Sequence, residues 1–127
     1  MAARRGPPKK VNLTAAFASF AERWSPKIAG EVNDTLIKLV KLQGDFVWHK
    51  HDVEDELFLV TKGRMIMRLR DGDVTVDAGE FIVIPAGVEH CPSAEDECEV
   101  VLIEPASTVN TGDAEDARTR RVLDRIA

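Results

Sequence analysis

The sequence predicts one domain of the all-β class, built as an antiparallel sandwich or barrel. Short apolar runs recur about every ten residues between positions 27 and 104, and turn residues such as Gly63, Gly72 and Gly79 separate them. No helical pattern interrupts these runs, which disfavours a parallel sheet with crossover helices. A length of 127 residues is enough for a single domain with its own hydrophobic core.

Two elements are predicted before the β-rich region. Residues 1–11 are expected to be a flexible basic arm, because basic residues there flank Gly6-Pro7-Pro8 and no apolar run follows them. A short helix is predicted over 12–26. Asn12 can cap its start, an apolar stripe follows at helical spacing, and Ser25-Pro26 ends it.

The β-rich region itself is predicted over residues 27–106, and a polar tail follows over 107–127. The tail is rich in charged residues, and the sequence leaves open whether it forms a short helix or stays loose. Within the β-rich region, strands are predicted at 27–32, 35–42, 46–51, 56–61, 64–70, 74–76, 81–84 and 99–104.

Composition indicates a cytoplasmic protein without a nucleic-acid or membrane partner. The formal net charge is -5, which is opposite to what a nucleic-acid-binding surface needs, and no apolar run is long enough to span a bilayer. Cys91 and Cys98 flank a polar, hairpin-like stretch and could face each other. Because no secretory signal is recognised, two free thiols are the favoured interpretation.

All three histidines of the chain lie in two short segments that end in turn residues. His49 and His51 are two residues apart and therefore share one face of a strand, whereas the same alternation turns Phe46 away from them. His90 follows the rigid turn Pro85-Ala86-Gly87. Neutral imidazole is the commonest protein ligand for transition metals, so the pattern predicts a metal site. The alternative is that the histidines are structural.

A carboxylate is expected to complete the site, and three candidates follow the first two histidines. These are Glu54, Asp55 and Glu56. Glu56 is the predicted ligand because it begins an apolar strand, which fixes its position. Glu54 and Asp55 have the character of solvated turn residues.

These segments resemble the two sequence motifs of the cupin superfamily over about residues 36–104. The chain departs from the motifs in two places: His49 follows its glycine one residue early, and Ala94 stands where the second motif ends in asparagine. That asparagine is not a metal ligand, so the ligand set is unaffected. The matching positions are Gly44, His49, His51, Glu56 and Gly63 in the first motif, and Gly79, Pro85, Gly87 and His90 in the second.

The resemblance is greatest to small single-domain cupins, loosely described as mannose-6-phosphate-isomerase-like. It implies a cupin jelly-roll β-barrel that binds one divalent transition metal, either Fe, Mn, Ni, Co or Zn. It also implies a homodimer and a small-molecule ligand or substrate. The ligands it implies are His49, His51, Glu56 and His90.

Three functions are compatible with this resemblance. The first is a mononuclear metalloenzyme with oxygenase, isomerase or lyase chemistry. The second is a non-catalytic cupin that binds or senses a metal or small ligand, and the third is a structural cupin with a relic site. The complete ligand set disfavours the third. Because the site takes every histidine and the chain has no tyrosine, epimerase chemistry with a histidine base is also disfavoured, and metal-bound water or substrate is the expected reaction partner.

The strand predicted at 64–70 has two faces of different character. Its methionine face is interpreted as core packing, with a soft, apolar pocket wall as the alternative. Its arginine face is either solvated or part of a dimer contact. The first face carries Met65, Met67 and Leu69, and the second carries Arg64, Ile66, Arg68 and Arg70.

Overall fold

The computed structural model describes residues 6–126 and shows an antiparallel β-barrel with one short helix. Arg4 and Arg5 of the predicted basic arm lie outside the described residues, and 6–12 form neither helix nor strand. The elements are α1 Leu13–Ala18, β1 Lys27–Val32, β2 Thr35–Asp45, β3 Glu56–Lys62, β4 Arg64–Leu69, β5 Val74–Asp77, β6 Phe81–Ile84 and β7 His90–Pro105.

Strand β7 connects the two layers of the barrel. Its later residues pair with β2 on one side and β3 on the other, within a sheet of order β1-β2-β7-β3-β6. Its first residues pair instead with β4, which also pairs with β5. The start of β7 therefore lies where the two layers meet, and this is the position of His90.

Two apolar clusters lie on opposite faces of the main sheet. The inner cluster fills the barrel and includes Val60, Met65 and Met67, all of them fully buried. The outer cluster lies under α1, where Phe17 packs against Leu39. Alternation along each strand produces both faces. Because Met65 and Met67 are core residues and do not line the cavity described below, the structure supports core packing for this face of β4.

The predicted helix over 12–26 is too long, because α1 ends at Ala18. Asn12 does cap it, accepting a hydrogen bond from the Ala15 backbone N–H. An isolated helix of this length gains little, so pairing with β2 determines the path of the next residues. Trp24 adopts a φ of 57° and donates its backbone N–H to Lys41 O at 2.8 Å.

Two strand predictions are also corrected. Residues 46–51 do not form a strand, because their ladder contact is limited to a single bridge between His49 and His90. The strand predicted at 99–104 begins too late, because β7 starts at His90. Cys91 and Cys98 therefore lie on one strand, which continues between them through an irregular pairing with the end of β2 and forms no hairpin there. Both thiols are free, as expected.

The C-terminal segment is neither a helix nor a loose tail in its described part, 107–126. Thr111 is fully buried, and Ile28 of β1 exchanges backbone hydrogen bonds with Asp124 and Ile126. The segment therefore packs along the barrel. No helix in residues 6–126 is long and apolar enough to cross a membrane.

The arginine face of β4 makes contacts within the chain. The Arg70 guanidinium lies 3.8 Å from the centre of the Trp48 ring and pairs with Glu89 at 3.3 Å. Arg64 pairs with Asp77 at 2.6 Å. These exposed pairs contribute little to stability.

Both thiols are expected to be inert in the native protein. Burial raises the pKa of Cys98 to about 12 and also raises the pKa of Cys91. The thiolate is the reactive form, so iodoacetamide at about pH 8 should modify neither residue unless a denaturant is present. Intact-protein mass spectrometry measures this, and rapid native labelling of either thiol would contradict the burial.

Candidate metal centre

The predicted ligands come together at one end of the barrel. Glu56 is the first residue of β3, and His90 is the first residue of β7. His49 and His90 exchange backbone hydrogen bonds of 3.0 and 2.9 Å, and His51 O accepts from Gly87 N at 2.7 Å. The irregular segment that carries His49 and His51 is thus attached to both the start of β7 and the turn before it.

The four side chains form one compact group of donor atoms. Their ligand atoms all lie within 4.8 Å of one another, and all four residues are buried. Nε2 of His51 and Nε2 of His90 each lie 3.2 Å from Glu56 Oε1. The His49 and His90 rings are 4.3 Å apart between centroids. Cys91 is not part of the group, as alternation along β7 predicts.

Backbone carbonyls set the tautomer of two imidazoles. His49 Nδ1 lies 2.8 Å from Val47 O, and His90 Nδ1 lies 2.9 Å from Val88 O. A carbonyl can only accept, so each Nδ1 carries a proton and Nε2 is the ring nitrogen left to face the site, where His90 Nε2 is hydrogen-bonded to Glu56 Oε1 at 3.2 Å. Metal-binding histidines are commonly oriented in this way.

His51 Nε2 is a buried atom without a hydrogen-bond partner. It lies 3.2 Å from Glu56 Oε1, but it is not oriented to form a hydrogen bond with that oxygen. An unpartnered buried polar atom costs about 1–3 kcal/mol, and a divalent cation would remove that cost. The four residues therefore fit a metal ion, with borderline nitrogen donors and one hard oxygen donor.

The electrostatics of the group favour its metal-binding protonation state. Burial, reinforced by the neighbouring His90, lowers the pKa of His49 to about 4. Burial raises the pKa of Glu56, but contacts with His51, His90 and Glu104 outweigh burial and hold that pKa well below its usual range. Near neutral pH, protons do not compete for either donor.

Acid is expected to destabilise the metal-free protein through His49. The pKa is about 4 when folded against about 6.5 when unfolded, so between these values the unfolded chain binds more protons and stability falls as pH falls. The loss from about pH 7 to about pH 5 should be about 2 kcal/mol. Urea unfolding with a chelator measures it. His49→Gln should reduce the slope, and an equal slope in the variant would exclude His49 as the cause.

The competing carboxylates have other partners. Glu54 accepts a hydrogen bond from Ser107 Oγ at 2.7 Å, and Asp55 accepts one from the Ala86 backbone N–H at 2.9 Å. Both thus hold loops around the site, and neither belongs to the donor group.

A small, partly open cavity lies beside the donor group. Its wall is mainly apolar and reaches His49 and Glu56. Trp24 and Phe46 stack at 4.6 Å between ring centroids, and Phe46 meets the His49 ring edge-on at 5.5 Å. The other lining residues are Pro26, Val40, Leu42, Phe58, Pro92, Leu102 and Asn110.

Sequence reasoning missed Trp24, Phe46 and Asn110 as cavity residues. Phe46 was predicted to point away from His49, which is wrong because the segment is not a regular strand and alternation does not apply. Trp24 lies within the range 12–26 that the sequence predicts as a helix. Trp24 precedes the helix-ending Ser25-Pro26, and Phe46 follows the turn residues Gly44-Asp45. These positions could have indicated both aromatic residues, whereas no local pattern indicates Asn110.

The C-terminal segment covers the cavity mouth. The Arg118 guanidinium lies 5.0 Å from the Phe46 ring centre and donates to Asp45 O at 2.8 Å. The Asn110 side chain donates to Arg118 O and accepts from Arg120 N, so both ends of its amide help to hold this segment.

The same segment is attached to the ligand-bearing loop. Asp113 accepts from the Lys50 backbone N–H at 2.9 Å and donates its own N–H to Lys50 O at 3.1 Å. Gly112 lies directly over His49 and Lys50, with a φ of 55°. Because Lys50 separates the two histidines, these contacts help to fix both imidazoles.

An antiparallel barrel with three imidazoles and one carboxylate converging inside it defines a class of β-barrel proteins whose site could hold a metal ion. The cupin domain family matches residues 37–104, which is more than half of the chain. The chain therefore belongs to the cupin family.

Several known proteins are similar to this chain. A cupin-2 domain protein from Shewanella frigidimarina is 46% identical, with a TM-score of 0.74 over 75% of this chain and 93% of that one. NMB1881 from Neisseria meningitidis is 36% identical, with a TM-score of 0.71 over 76% and 99%. YdbB from Bacillus subtilis is 32% identical over 65% of this chain and 74% of its own length.

Proposed function

We propose that this cupin is a mononuclear metalloenzyme that acts on a small organic substrate, with His49, His51, Glu56 and His90 as the metal ligands. The convergence of these four buried donors beside a cavity carries the proposal. A divalent ion of Fe, Mn, Ni, Co or Zn would supply Lewis acidity and, in the case of iron, oxygen chemistry.

The cavity wall favours a small, uncharged and partly apolar substrate. Among the described residues that line it, none is lysine or arginine, and the Arg118 guanidinium at its mouth already donates to Asp116 and to Asp45 O. A phosphosugar would need a free cationic group to bind its phosphate. The stacked Trp24 and Phe46 rings offer a flat apolar surface next to His49. Apolar walls also exclude water from the donor group, which strengthens electrostatic interactions there.

A non-catalytic binding or sensing role is the second candidate. The observation that favours it is the absence of an available acid or base among the described lining residues, apart from the ligands themselves. Asn110 cannot transfer protons, and both ends of its amide are already hydrogen-bonded.

Activity assays on the metal-loaded protein separate these roles. Protein loaded with each of the five metals is mixed with small diketones, thiols and phenols, while oxygen uptake and substrate loss are recorded. The enzyme proposal predicts turnover with at least one metal, and predicts that Glu56→Gln abolishes it. Saturable binding without turnover across the screen would support the binding role instead.

We also propose a cytoplasmic homodimer. The two buried free thiols support a reducing compartment. An exposed apolar edge supports self-association, because β6 ends the sheet and leaves Phe81 63% and Val83 46% exposed.

Replacing Phe81 with aspartate is expected to convert a dimer into a monomer, because a charge would be buried in the interface. Sedimentation velocity measures the change. Val122→Asp is the matched control, since Val122 is 90% exposed and lies outside the strands. A monomeric wild-type protein, or a Phe81→Asp variant that remains dimeric, would contradict this interface.

A further inference from the structure

A buried ion pair lies inside the barrel next to the ligand Glu56. Lys38 on β2 donates from Nζ to Glu104 Oε2 on β7 at 3.0 Å, and their side chains are only 2% and 1% exposed. Lys38 lies directly opposite Leu102, so Glu104 is its diagonal neighbour on the same inner face. Both charges therefore point into the core.

Stability alone is a weak explanation for this pair. Removing two ions from water costs several kcal/mol per ion, and well-packed apolar residues are often as stable or more so in such positions. Lys27 shows the contrast within the same protein. Its buried Nζ pairs with Glu22 and Asp124, whose side chains are 64% and 80% exposed.

The pair continues directly to the donor group. The Glu104 carboxyl lies within hydrogen-bonding reach of the Glu56 carboxyl. Glu104 Oε1 is buried and has no hydrogen-bond partner of its own. On its other side, Glu56 Oε1 lies 3.2 Å from His51 Nε2 and 3.2 Å from His90 Nε2. Lys38, Glu104 and Glu56 thus form a continuous buried row that ends at the imidazoles.

The geometry assigns a positioning role to Lys38 and Glu104: they hold the Glu56 carboxylate in the orientation that a bound metal ion needs. The Lys38 ammonium fixes the Glu104 carboxyl through its 3.0 Å hydrogen bond, and Glu104 in turn limits rotation of Glu56 away from the histidines. This inference rests on the proposed metal site. Outer contacts of this kind typically change metal affinity 10- to 100-fold.

The test uses the full chain, freed of metal and titrated with Co²⁺, whose visible absorption reports ligand geometry. The double variant Lys38→Met/Glu104→Leu removes both charges and keeps the volume similar. It is expected to fold, to bind Co²⁺ about 10- to 100-fold more weakly than the wild type, and to shift the absorption bands. Lys27→Met is the matched control, because it removes a buried ammonium remote from Glu56 and should leave affinity and spectrum unchanged.

Each outcome decides the matter. A folded double variant with wild-type affinity and spectrum would overturn the positioning role and leave the metal site intact. A wild-type protein that binds no Co²⁺ would instead refute the metal site itself. If the double variant does not fold, Glu104→Asp replaces it. That variant keeps the charge but withdraws the carboxyl by one methylene, so it should still weaken binding and shift the bands, and unchanged values would again overturn the role.

Discussion

Purified His51→Ala protein is expected to contain less than about 0.2 equivalents of transition metal per chain, against about one in the wild type. His51 supplies one of the four donors, and its Nε2 has no hydrogen-bond partner that could take the place of a metal ion. Alanine leaves three donors and a gap in the ligand shell. Elemental analysis of both proteins, prepared without chelators, measures the difference.

The matched control for this variant is Glu54→Gln. Glu54 lies in the same loop and was one of the competing carboxylates, yet it bonds to Ser107 and is not in the donor group. It should keep the wild-type metal content. Equal metal contents in His51→Ala and the wild type would show that the bound ion lies elsewhere.

Replacing Gly112 with alanine is expected to destabilise the protein by about 2–5 kcal/mol and to lower its metal content. A Cβ there would collide with Lys50 O and approach His49 Cδ2 to 3.0 Å. Its φ of 55° is also unfavourable for alanine, at about 1–2 kcal/mol. Relief of the collision would push the His49–His51 loop away from the other ligands. Urea unfolding and metal analysis measure the two effects.

The matched control is Gly79→Ala, which introduces an unfavourable backbone φ without a steric collision. Gly79 has a φ of 87°, but nothing lies within 4 Å of the position that its Cβ would take. The Gly79→Ala variant should therefore lose only about 1–2 kcal/mol of stability, from the unfavourable φ, and should retain its metal. If Gly112→Ala is no less stable than Gly79→Ala, the C-terminal segment does not hold the ligand loop as described.

The grouping of the four candidate donors was predictable because its signals are local. His49 and His51 lie two residues apart, Glu56 begins a strand, and His90 follows a rigid turn. Each of these relations depends on neighbours in the chain, and the resemblance to cupin motifs adds the pairing between the two segments. The predicted strands at 27–32 and 81–84 match β1 and β6 for the same reason, since turn residues delimit them.

The end of the helix and the placement of the C-terminal segment could not be predicted, because they depend on contacts with residues outside the local pattern. The predicted helix is too long because its apolar spacing continues past Ala18, while Trp24 pairs with Lys41 on β2, outside the helical pattern. The covering role of residues 107–126 likewise rests on bonds to Lys50 and Ile28. No local pattern contains such contacts.

The burial of Lys38 is indicated by its position in the sequence. It alternates with Leu36 and Val40, so a charged residue occupies the inner face of a predicted strand. Such a position requires a buried partner. Its partner, Glu104, lies 66 residues away at the end of the last strand, and only the folded barrel brings the two together.

Elemental analysis of the wild-type protein, purified without chelators, tests the metal centre most directly. We predict at least about half an equivalent of a single transition metal per chain, removable by chelator and restored by one equivalent of Co²⁺. Less than about 0.2 equivalents of any transition metal, together with no Co²⁺ uptake by the folded protein, would contradict the assignment of His49, His51, Glu56 and His90 as a metal site.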